Sequence, residues 1–196
     1  MKRLFIFILG FIFIGCAPFS RNIVPVNQED NPITSKGVSF NVPPHGNWKM
    51  VRQNSNLSLG MFTSPTDSHV IILVHFKPEN QYHSREEFFK GIKHSWESNI
   101  KDERYIVDFN EIELVPHFGD YCIFVDRKYR DKGAANKGDN QFLFIEEYGY
   151  IFIHPDYPDE VVEAIYSERY KDGEQTNIGI ENRDNFVKSL TLIRKE

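Results

Sequence analysis

The chain has 196 residues, 40% of them hydrophobic and 26% charged, with a formal net charge of −5. That size suits one domain with a full core. The acidic balance and scattered Lys and Arg exclude the basic stripe that nucleic-acid binding needs, and two cysteines exclude a disulfide-stapled scaffold.

The first element is the apolar run Leu4–Ile14, preceded by Lys2 and Arg3 and followed by Gly15 and Cys16. Its eleven residues would rise about 17 Å as a helix, against a bilayer core of roughly 30 Å. A span is therefore excluded, and a secretory leader over 1–15 is expected. "FIGC" at 13–16 resembles the lipobox of bacterial lipoprotein precursors. That resemblance implies a diacylglycerol thioether on Cys16, cleavage before it and acylation of the new N-terminus. With Ala17 rather than Asp next, it also implies the periplasmic face of the outer membrane more than the inner membrane. Two or more acyl chains hold a protein stably on its bilayer. Leader removal would take the charge from −5 to −7 and leave Cys122 as the remaining thiol. In "DYCIFVD" that cysteine is expected to be a small buried hydrophobe of a strand.

Residues 16–35 contain three prolines and no sustained period, and are expected to form the lipidated N-terminus and a flexible tether. A single globular domain over 36–196 follows. Val38, Phe40 and Val42 alternate as a strand, "PPHGNW" breaks it, and Leu57, Leu59 and Met61 alternate again. "HVIILVHF" at 69–76 is apolar at nearly every position, as a central strand covered on both faces requires. Ser84 and Glu87 form a capping box before the stripe Phe88, Ile92, Trp96 of a helix. Strands are expected around Tyr105, Val107 and Phe109, and around Tyr121, Ile123 and Val125, followed by a polar loop over 130–140.

"QFLFIEEYGYIFIHP" reads as a hairpin turning at Tyr148–Gly149. The run at 160–170 is taken as a strand, although Val161, Val162, Ile165 and Tyr166 also fit a helical stripe. A closing helix is expected to start at an Asn182 cap and to bury Phe186, Val187 and Leu190. The fold class is thus α+β: an antiparallel sheet of about six to eight strands, covered by helices on both faces in a three-layer sandwich. "GVSFNVPPHGNW" at 37–48, the mid-chain helix and the closing "NFVKSLTL" together resemble the PsbP-like group, which includes the extrinsic oxygen-evolving protein of photosystem II. The resemblance implies a binding or assembly module rather than an enzyme.

No local signature of catalysis appears. "GVSFN" lacks the second glycine of a nucleophile elbow, and no glycine cluster could cradle phosphate. The histidines His45, His69, His75, His83, His94, His117 and His154 show no ligand spacing, so no metal and no cofactor are expected. His69 and His75 share a strand face about 20 Å apart; the others read as loop or surface residues. The acid pairs in "REE", "IEE" and "DYPDE" read as solvated surface. Two functions remain: a membrane-anchored module binding an envelope protein or a small ligand, and a periplasm-facing hydrolase with a pocket built from the 130–140 and 154–159 loops.

Overall fold

A computed structural model describes residues 23–64, 66–79, 81–134 and 142–195. The expected leader, Cys16 and residues 135–140 of the polar loop lie outside the described residues.

The strands β1 (Ile23–Pro25), β2 (Ile33–Ser35), β3 (Val38–Phe40), β4 (Lys49–Gln53), β5 (Asn56–Ser64) and β6 (Asp67–Phe76) precede helix α1 (Arg85–Ser98). Then come β7 (Tyr105–Leu114), β8 (Cys122–Asp131), β9 (Leu143–Ile153), β10 (Val161–Tyr170), helix α2 (Asn177–Ser189) and β11 (Thr191–Leu192). Eight strands form one antiparallel sheet in the order β1-β4-β5-β6-β10-β9-β8-β7, and β11-β3-β2 form a second, small sheet. The chain meanders from β4 to β6, crosses by α1 to the far edge, and meanders back until β10 closes the gap beside β6. Placed centrally, β10 pairs over nearly its full length with both β6 and β9. That position explains why its sequence carries apolar residues in both registers.

The two faces bury separate clusters. Val161 and Ile165 of β10 join Ile123, Val125 and Ile151 beneath Phe88, Ile92 and Trp96 of α1. Val162, Ala164 and Tyr166 join Leu59, Ile71, Leu73 and Phe152 on the opposite face. Each large side chain so buried contributes about 1.5–3 kcal/mol, so α1 is held mainly by its stripe. Ser84 caps it by accepting from the Glu87 N–H at 3.1 Å, as the capping box requires.

Helical cover of both faces is not supported. Among the described residues, strands hold 46% and helices 18%. The face opposite α1 is closed in large part by the small sheet, through Ile33, Val38 and Phe40, with α2 adding Phe186 and Leu190. Phe40 meets Phe186 edge-to-face at 5.2 Å between ring centroids.

Three further expectations change, and a fourth holds with a difference in setting. Part of the expected tether is folded: β1 pairs with β4, β2 pairs with β3, and Val26 and Ile33 are buried. Its apolar residues are too few to show a period, yet each finds a place against a neighbouring strand. The hairpin at Tyr148–Gly149 is instead the middle of the continuous β9, which pairs with β10 from Leu143's neighbour Phe144 to Ile153. Gly149, at φ 157°, is there because a Cβ would strike the Ala164 carbonyl of β10. The closing helix begins at Asn177, and Asn182 lies inside it, fully buried. Tyr105, Val107 and Phe109 do lie on a strand, but β7 is the sheet edge. A register shift between Val107 and Phe109 leaves those two about half exposed, at 44% and 46%.

Candidate functional site

A groove of about 930 Å³ runs between α1 and the segment that follows β6. Phe76, Pro78 and Tyr82 form one wall, and Lys90, Ile92 and Trp96 of α1 form the other. Gly91 has a packing reason to interrupt the helix. A Cβ there would lie 2.9 Å from Tyr82 Cε1, so glycine lets the Tyr82 ring approach α1 and meet Phe88 edge-to-face at 5.2 Å.

Glu163 also lines this groove. It lies on β10 between Val161 and Ile165, within the apolar cluster under α1, and is 7% exposed. Its Oε1 accepts a hydrogen bond from the Trp96 indole Nε1–H at 3.2 Å. Burial pushes its carboxyl up to about 7, with the Trp96 hydrogen bond acting the other way, the nearby Glu147 adding to the rise and Arg127 opposing it. Arg127 and Glu147 are direct cross-strand partners of β8 and β9, and Arg127 Nε donates to Glu147. The same guanidinium lies 4.2 Å from the Trp96 ring centroid and donates through Nη1 to the Trp96 carbonyl at 3.0 Å. The groove floor is thus a fixed lattice of aromatic, cation and carboxylate around one carboxyl of raised pKa. Such a group in a concavity of this size is the kind of arrangement that marks a binding site.

A second, shallower depression of about 370 Å³ lies beside His117, which stacks on Tyr150 at 4.8 Å with Phe124 nearby. It offers aromatic surface without a buried charge.

The histidines are scattered. His83, His94 and His117 are exposed, as expected. His45 pairs with Glu181 at 2.7 Å on the surface. His69 is buried, with Nδ1 2.8 Å from the Tyr166 hydroxyl. His75 is also buried, and burial lowers its pKa. His154, read as a loop or surface residue, lies in the loop after β9 but is fully buried: Nδ1 accepts from the Asp156 N–H at 3.0 Å, and Nε2 lies 3.1 Å from the Gly37 carbonyl. Its place at the end of β9, between the small sheet and the 154–159 loop, explains the burial. Among the described residues no group of three or more His, Cys, Asp or Glu is arranged to hold a metal ion.

Of the acid pairs, Glu86 and Glu87 of "REE" are exposed as expected, and the others depart in part. In "IEE", Glu147 is buried against Arg127, and Glu146 accepts from Lys128 Nζ at 2.8 Å. Of "DYPDE", Glu160 pairs with Lys36. Cys122 is fully buried in β8, its thiol pushed up to about 11 by burial. Glu163 itself was passed over by sequence reasoning. The available signal was one acid inside the apolar run "VVEAIY" of a strand apolar in both registers. No family model matches the chain, and no characterised protein matches it in sequence.

Proposed function

We propose that the chain is a lipid-anchored bacterial envelope protein that binds a ligand in the α1 groove rather than converting it. Cys16 would carry the acyl chains, with outer-membrane placement following from Ala17. The folded body would present the groove to a small ligand or to an extended segment of an envelope partner. The PsbP-like architecture, with its binding and assembly roles, belongs to the same reading. Among the described residues no helix is long and apolar enough to cross a membrane.

One observation carries the reading: a buried carboxyl, Glu163, lies in the floor of a groove of about 930 Å³ walled by Phe76, Tyr82 and Trp96. Cavities of roughly 300–1,000 Å³ with apolar walls and a few placed polar groups are typical of small-molecule sites. The 154–159 loop offers a hydrolase less, because both ring nitrogens of His154 face backbone partners.

Two experiments test the two halves. In the native host, labelled palmitate is expected to enter the wild-type protein but not Cys16→Ala; no incorporation, or equal incorporation, removes the anchor. In amide NMR spectra, a panel of aromatic amines, alcohols and carboxylates is expected to shift residues 76–99 and 161–165 together. Shifts scattered over the surface, or none, remove the groove.

A further inference from the structure

Glu163 is a buried acid without a matching cation. On the α1 face of the sheet its charged neighbours are Arg127 of β8 and Glu147 of β9, and these two pair with each other. From α1 it receives the Trp96 indole N–H. Among the described residues Glu163 has that one hydrogen bond and no ion pair. A buried carboxylate offers lone pairs for several donors, and buried charges are ordinarily paired.

The rim has the same polarity. Glu79, Glu86 and Glu87 line the groove with Glu163, against Lys90 and His94. The Glu87 carboxylate is already held by the His83 N–H at 2.9 Å, which leaves the floor as the deepest open acceptor. An acidic concavity with aromatic walls suits an organic cation, because carboxylate and ring faces both attract it while the walls take its apolar body. A hard divalent ion would need six or more oxygen ligands, and no such grouping forms among the described residues.

We propose that the α1 groove receives a primary ammonium carried on an aromatic or aliphatic body, with the ammonium paired to the Glu163 carboxylate and the body against Tyr82 and Phe76. This deepens the groove reading and rests on it. Sequestering amine-bearing small molecules in the envelope is the function it would serve.

Calorimetry on the full chain with 2-phenylethylamine and its uncharged counterpart 2-phenylethanol tests it. The amine is expected to bind about tenfold more tightly than the alcohol at pH 8. Its affinity is expected to fall about fivefold or more at pH 6, because Glu163 takes up a proton near 7 while the amine stays charged. Glu163→Gln is expected to remove both the preference and the pH dependence. His94→Gln, a change at another residue lining the groove, is expected to keep both. Equal binding of amine and alcohol, with shifts in the groove, overturns the ammonium assignment and leaves the groove. Binding of neither overturns the groove as well. An amine preference that survives Glu163→Gln overturns Glu163 as its partner. Should that variant not fold, the amine-to-alcohol ratio and its pH dependence in the wild type still decide the matter.

Discussion

Asn182, in the middle of α2, holds the backbone of His45 from both sides. Its Nδ2–H donates to the His45 carbonyl at 3.0 Å, and its Oδ1 accepts from the His45 N–H at 3.2 Å. The same carbonyl accepts from the Trp48 indole at 3.0 Å, and Trp48 is among the largest fully buried side chains. The proline-rich turn after β3 is therefore fixed by a helix residue 137 positions later. Asn182→Leu removes both bonds, leaving the His45 N–H without this acceptor and its carbonyl with the Trp48 indole. A loss of roughly 3 kcal/mol is expected, or about 6–12 °C in Tm. Thermal unfolding by circular dichroism checks it; a change below a degree would show the turn to be held without α2.

Gly149 is the point where β9 lies closest to β10. An added Cβ would sit about 3.0 Å from the Ile165 Cα as well as against the Ala164 carbonyl. Both neighbours are backbone of the central strand, so neither yields cheaply. Gly149→Ala is expected to lower stability by at least about 3 kcal/mol, seen as a fall in the urea midpoint. A midpoint unchanged from wild type would mean the two strands are further apart.

The strands and α1 were legible because their periods are clean: Leu57, Leu59 and Met61 alternate, and Phe88, Ile92 and Trp96 recur every four residues. The errors share one physical cause, which is that the deciding contact is distant in sequence. Nothing near Gly149 announces the Ala164 carbonyl, so its glycine read as a turn. Asn182 looks like a cap until His45 is brought to it. Ile33 in a proline-rich stretch looks like linker until β3 pairs beside it. The candidate site was less legible still. Glu163, Trp96, Arg127 and Glu147 stand on three strands and a helix, and only the sheet order makes them neighbours.

Glu163 makes stability depend on pH in a definite sense. Its folded-state pKa is raised to about 7, above the ordinary glutamate range near 4.3. The folded state therefore holds a proton that the unfolded state has released between those values, and stability falls as pH rises through that window. Glu163→Gln keeps an acceptor for Trp96 and has no proton to lose. The variant and wild type are expected to be nearly equal at pH 4–4.5. By pH 8 the variant should lead by on the order of 3 kcal/mol, measured by urea unfolding across pH. A wild type that gains on the variant as pH rises would contradict the raised pKa.

Cys122 is fully buried and its thiol is pushed up to about 11. The thiolate is the reactive form, so two factors suppress reaction at once. Ellman's reagent at pH 8 is expected to leave Cys122 untouched in the folded protein and to react fully in denaturant. Stoichiometric reaction within minutes under native conditions would place the side chain elsewhere.

The central claim is that an unpaired carboxyl waits at the bottom of the α1 groove. Carbon-13 NMR of the side-chain carboxyls, titrated from pH 3 to 9, reads it directly. One resonance, assigned by its loss in Glu163→Gln, is expected to titrate near 7 in the free protein and at least about one unit lower with saturating 2-phenylethylamine. A Glu163 midpoint close to 4, unmoved by the amine, would contradict the account.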